Sequence, residues 1–253
     1  MTEIIAIQSF RYAAGRSTLA ANLAALLAAG GRRVCAIDTH FHAPGLHIFF
    51  GIPEDAIAYS LNSFLLERGQ PHQAIWDITE RSSLAGPGRL FLLPASPLVD
   101  DILPMLRHEY DLEQLDQALQ QLQAALNLDF IILDCPPGLN QDTLTLMAIA
   151  DTLALVLRPE PADFQGTAVM VDVARRLGQT RILLALNDVP ASLDGAQARR
   201  EMQRTFESPV AGLLPHSDEL LLLGSRGLIA LRDPDDLYSL GLNNLLAAIL
   251  ETT

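Results

Sequence analysis

The chain has 253 residues, 49% of them hydrophobic, enough for a large buried core and far from a disordered composition. Its 17 basic residues face 30 acidic ones, giving a net charge of −13; this opposes non-specific binding to DNA or anionic lipid, which both need a positive surface. Every basic residue is an arginine, and the chain contains no lysine. Met1 to Ile7 lacks the charged-then-apolar pattern of a signal peptide, and no apolar run is long enough to cross a bilayer. With only Cys35 and Cys135, both inside apolar stretches, the expected setting is a reducing cytoplasm without a disulfide framework.

In chain order, short apolar runs alternate with longer helical ones. Expected strands are Glu3–Gln8, Arg33–Ile37, Leu90–Leu93, Phe130–Leu133, Thr152–Leu157, Arg181–Leu186 and Val210–Leu213. Several are apolar almost throughout, the pattern of strands covered on both faces. Expected helices are Ser17–Ala29, Leu112–Leu126, Asp142–Ile149, Gln165–Leu177, Ala196–Thr205 and Leu237–Leu250. This rhythm predicts an α/β fold, a mainly parallel sheet with right-handed crossovers and helices on both faces. Glu54–Pro87 reads as small helices and loops, and no linker divides the chain, so one domain is expected over residues 1–253.

The first strand runs into Ser9-Phe10-Arg11-Tyr12-Ala13-Ala14-Gly15-Arg16-Ser17-Thr18, and a strong helix follows. A strand, a tight loop and a helix N-terminus make an anion site, because free amides and the helix dipole both face the loop. Gly15 permits close backbone approach. Arg16 stands where a P-loop lysine would reach the β- and γ-phosphates, and the Ser17 hydroxyl is placed for Mg²⁺. The loop alone fits an ordinary βα turn capped by Ser17 equally well. Asp38 and Asp134 end two further strands, at the edge where parallel sheets bind ligands. Asp134 would orient Mg²⁺ or its water, and Gly138 would let a switch loop move.

The order and spacing of these segments resemble the MinD/ParA family of P-loop ATPases over nearly the whole chain. Besides the loop, the resemblance rests on Ser17-Thr18-Leu-Ala-Ala-Asn22, Ile37-Asp38-Thr39-His40, Asp134-Cys-Pro-Pro-Gly138, Ala150-Asp151, Arg158-Pro159-Glu160, Leu186-Asn187 and Gly212-Leu-Leu-Pro215. It implies a nucleotide-dependent homodimer that positions or recruits an unidentified protein partner, binding ATP or ADP with Mg²⁺. The nucleotide would contact Tyr12, Ala13, Ala14, Gly15, Arg16, Ser17 and Thr18, with Asn187 and Pro215 beside the base. Arg11, Arg16, Asp38 and His40 would form the catalytic set.

The chain departs from that pattern at the places that matter for turnover. Arg11 replaces the family's signature lysine, Arg16 the general P-loop lysine, and His40 the switch I aspartate. Tyr12 and Ala13 stand where the family has glycines, which predicts crowding or backbone cost. The absence of lysine everywhere points to drift toward arginine, but an optimised transition-state contact is worth about 2–4 kcal/mol and should resist it. Weak or lost hydrolysis is the expectation, the alternative being a non-catalytic scaffold that no longer needs nucleotide.

Other features are weighed and set aside. His40, His42 and His47 match no zinc spacing. Cys35 and Cys135 read as core residues. Arg199, Arg200 and Arg204 read as a solvated helix face rather than a nucleic-acid patch. Leu237–Leu250 carries no basic residue, so packing on the domain is expected rather than membrane anchoring. Leu220–Leu223 is open between internal packing and a dimer face. A small-molecule ligase would need substrate groups in Glu54–Pro87 that the sequence does not reveal.

Overall fold

The computed structural model describes residues 2–84, 86–107, 110 and 113–251. Eight strands form one sheet: β1 (Glu3–Gln8), β2 (Arg33–Asp38), β3 (Trp76–Asp77), β4 (Arg89–Leu93), β5 (Phe130–Asp134), β6 (Thr152–Leu157), β7 (Ile182–Val189) and β8 (Val210–Pro215). Their spatial order is β3-β4-β2-β5-β1-β6-β7-β8. All neighbours pair in parallel except β3 with β4. The seven expected strands are present, with ends shifted by a few residues. The eighth, β3, is a two-residue antiparallel edge, too short to leave a periodic signal.

The helices are α1 (Arg16–Ala29), α2 (Leu46–Phe49), α3 (Leu61–Leu65), α4 (Val99–Leu106), α5 (Glu113–Leu126), α6 (Gln141–Ile149), α7 (Pro161–Arg176), α8 (Gly195–Phe206), α9 (Asp218–Leu223), α10 (Ile229–Arg232) and α11 (Leu237–Leu250). All six expected helices form, although Leu112, the expected start of one, lies outside the described residues. Helices α2, α4, α9 and α10 are additions. Glu54–Pro87 holds short helical turns and β3, as its irregular sequence suggests.

Alternation along the strands divides the core in two. Ile5, Ile7, Val34 and Ala36 point to one face and pack with residues of α1, α10 and α11. Ile4, Ala6, Cys35 and Ile37 point to the other, among Leu119, Leu146, Met170 and Met202 of α5 to α8. Both cysteines are buried and free. The carboxyl ends of β1, β2, β5 and β7 converge at one edge, and α1 starts there. Asn22 fixes that helix: its amide donates to Thr18 O at 2.8 Å, and its oxygen accepts from Ala230 N at 3.0 Å. The last helix lies against β8 so closely that a Cβ at Gly241 would sit 2.6 Å from Leu213 O. Tyr238, Leu242, Leu245 and Ile249 of α11 are buried, so this helix is packed as its sequence predicts. Among the described residues no helix is long and apolar enough to cross a membrane.

Candidate functional site

The phosphate loop leaves β1 and enters α1 through Gly15, whose φ of 101° is left-handed. No side chain caps the helix start, and no acidic residue lies in its first turn. Its leading amides and dipole are therefore available to an anion. A Cβ on Gly15 would run into the Asn187 amide. That amide, at the end of β7, donates to Ala14 O at 2.8 Å and holds the loop against the sheet. Ala13 is also left-handed, with φ of 58°, a conformation that costs a non-glycine residue about 1–2 kcal/mol. The Tyr12 side chain turns outward, 69% exposed, with its ring 6.1 Å from that of His40.

Arg16 is the centre of the site. It is 7% exposed, and its Nε and one Nη have no hydrogen-bond partner among the described residues. Burial lowers its pKa, while the Asp134, Cys135, Tyr12 and Asp38 side chains pull the other way. Arg16 lines a cavity of about 350 Å³ with Gly15, Ser17, Thr18 and, from α2, Phe49. Asp134 is buried, and its Oδ1 has no hydrogen-bond partner. Burial, then the neighbouring Asp38 charge, pushes its pKa up to about 7, against the Ser17 hydroxyl and Arg16. An orphaned carboxylate oxygen beside a hydroxyl is a donor set that suits a hard cation, so Ser17 and Asp134 fit the expected Mg²⁺ position.

The remaining expected catalytic residues are engaged in different ways. Asp38 accepts from His40 N at 3.0 Å, Gly45 N at 2.9 Å and Leu46 N at 3.0 Å. Its carboxylate thus pins the loop after β2 and the start of α2. His40 faces the same space as Arg16, and its pKa falls to about 4, first by burial and then by the Arg16 charge. A histidine held neutral in this way lacks the negative charge of the aspartate it replaces. Arg11 is folded onto its own chain, 3.3 Å from Glu160 and 3.5 Å from Asp163. Asp163 is nearly inaccessible and also accepts from Arg158 N at 3.0 Å. The sequence quotes Glu160 without revealing this partnership, and Asp163 goes unnoticed because it is local only to α7.

A second cavity of about 190 Å³ continues from the loop along Gly15 and Thr18 to Asn187, Pro215 and Tyr238. The Asn187 Oδ1 is buried there without a hydrogen-bond partner. At its rim the His216 ring lies 2.6 Å from Asp188, which raises the histidine's pKa. Leu220 and Leu221 line this cavity and Leu223 is buried, while Leu221 and Leu222 are exposed, so the leucine run packs internally only in part.

Comparison with known proteins agrees with this fold. A model of the AAA domain family (AAA_31) matches residues 2–185. The septum site-determining protein MinD of Bacillus subtilis is 25% identical over 262 residues, covering 99% of this chain and 90% of its own. The structure of Pyrococcus horikoshii MinD complexed with Mg-ADP superposes with a TM-score of 0.82 at 22% identity, covering 100% of this chain and 97% of that one. Aquifex aeolicus MinD in its MinC:MinD complex gives 0.81 at 21%, again over 100% of this chain and 97% of its own. With a parallel sheet, a phosphate loop at its carboxyl edge and a family model over most of its length, the chain belongs to the MinD/ParA family of P-loop ATPases.

Proposed function

We propose that the chain is an ATP-binding switch of the MinD/ParA type. In this reading it dimerises with nucleotide, positions or recruits a protein partner, and hydrolyses ATP slowly or not at all. The observation that carries the nucleotide reading is Arg16, a residue 7% exposed that lines the phosphate cavity and holds two buried guanidinium nitrogens without a hydrogen-bond partner. Asp134 and Asp38 answer its charge only at a distance, and a polyphosphate would satisfy the open nitrogens with bidentate hydrogen bonds. The Mg-ADP bound by P. horikoshii MinD supports the ligand class, and the MinC:MinD complex supports a protein partner.

Within this reading the P-loop amides and Arg16 hold the β- and γ-phosphates. Ser17 and Asp134 would hold Mg²⁺, which would neutralise phosphate charge. Asn187 offers its free Oδ1 to the base, beside Pro215. Arg11 would leave Glu160 and Asp163 to reach a partner subunit's phosphates. Slow turnover follows from His40, which is neutral where a carboxylate is expected. The scaffold alternative draws on Arg11 as well, since its two carboxylates satisfy it without nucleotide.

Calorimetry with ATP and ADP, with and without Mg²⁺, tests the binding reading, and absence of binding would sink it. Phosphate release from the wild type should be near background and should rise in the double variant Arg16→Lys with His40→Asp. Robust wild-type turnover would remove the slow-hydrolysis part alone. Sedimentation with ATP against ADP tests dimerisation.

A further inference from the structure

A separate cavity of about 290 Å³ lies beside the phosphate site and shares one wall with it. Phe49 lines both, and Ser225 of the phosphate cavity is followed by Arg226 of this one. Its apolar wall includes Phe49, Phe50 and Leu228, all buried. Three arginines also line it, Arg81 from one segment and Arg226 and Arg232 from another. No acidic residue lines it, in a chain whose net charge is −13. Among the described residues the Arg226 and Arg232 side chains have no hydrogen bond or ion pair, while Arg81 is anchored by donating to Gly51 O at 3.0 Å. The Ser82 hydroxyl, in the same wall, is buried without a partner.

Three like charges around one small space repel each other unless an anion joins them. Guanidinium groups match a carboxylate with two parallel hydrogen bonds. The volume sits at the small end of the range of ligand cavities, about 300–1,000 Å³, room for one ring or a short chain. We propose that this cavity binds a small organic acid, an apolar body against Phe49 and Phe50 with its carboxylate among Arg81, Arg226 and Arg232. The Ser82 hydroxyl adds a further donor. The inference does not rest on nucleotide binding.

The probes are phenylacetate and octanoate, with neutral phenylacetamide as the control, titrated into the full chain and followed by calorimetry. Both acids should bind one to one, and the amide should not. The variant Arg226→Gln with Arg232→Gln should weaken the acids by about tenfold or more, the worth of a lost charge-assisted hydrogen bond. Leu231→Trp, which fills the cavity and leaves every arginine in place, should abolish binding. Circular dichroism melting checks that both variants fold. Equal binding of acid and amide, no binding of either acid, or unchanged affinity in both variants would overturn the proposal. So would displacement by ADP together with loss in Arg16→Ala, which would put the acid in the phosphate loop. If nucleotide fails to bind while the acids still do, only the switch reading falls.

Discussion

At the outer edge of the phosphate loop, Arg11 sits between two carboxylates and is satisfied; at its floor, Arg16 is buried with two nitrogens unpaired. The same residue type, in the same loop, has its charge answered in one place and left open in the other. The difference teaches that an arginine's role is set by what the fold brings to it. Glu160 and Asp163 lie within 3.5 Å of Arg11, whereas Asp134 and Asp38 act on Arg16 through their charge, with no hydrogen bond to it among the described residues. The floor is built to take a charge from outside.

The largest expected effect breaks this contrast directly. Arg16→Ala should weaken ADP binding by about 30-fold or more, as expected for truncating one partner of a buried charge pair. Arg11→Ala should leave ADP affinity within about threefold and cost the unliganded protein less than about 1 kcal/mol, because Arg11 is itself exposed and the buried Asp163 keeps Arg158 as its partner. Calorimetry and urea melts measure both. Equal losses in the two variants would erase the distinction between edge and floor.

The backbone of the loop carries the next largest effects, with opposite signs. Gly15→Ala combines a left-handed φ with a collision against Asn187, and should cost about 2 kcal/mol, a fall of roughly 4–8 °C in Tm. Ala13→Gly relieves a left-handed φ of 58° and should gain about 0.5–1 kcal/mol, the relief being partly offset by the entropy of a new glycine. If Ala13→Gly destabilises, the loop does not carry the strain assigned to it.

Much of this was legible in the sequence where the determinant is local. Strands covered on both faces announce themselves as apolar runs, and Gly15 before a long helix announces an anion site. The places of Asp38 and Asp134 at strand ends follow from the same runs. What each carboxylate does is a different matter. Asp38 is tied up by amides of Gly45 and Leu46, which no spacing rule connects to it. Long-range pairing hides Arg11's partners for the same reason. The cavity of Arg81, Arg226 and Arg232 is the extreme case, since only the folded chain brings Arg81 to the other two. The strand β3, two residues long, is invisible to any periodicity.

The smallest effect is a slope rather than a loss, and it probes Arg16 through a neighbour. His40 titrates near 6.5 in the unfolded chain and near 4 when folded, because it is buried and faces the Arg16 charge. Between those values the unfolded state binds more protons at His40, so the His40 contribution to stability falls as the pH drops through this window, while Asp134, raised from 3.8 to about 7 on folding, contributes the opposite slope. His47, whose pKa burial also lowers, adds to the same slope. Urea melts of His40→Asn across the window should therefore differ from wild type by the His40 contribution, the remainder being the sum of His47 and the opposing Asp134 and Asp38. In Arg16→Ala the His40 pKa should rise toward its ordinary value and narrow the window, whereas Arg11→Ala should leave the wild-type slope unchanged. A slope that responds to Arg11 as strongly as to Arg16 would mean that the edge of the loop, and not its floor, sets the field at His40.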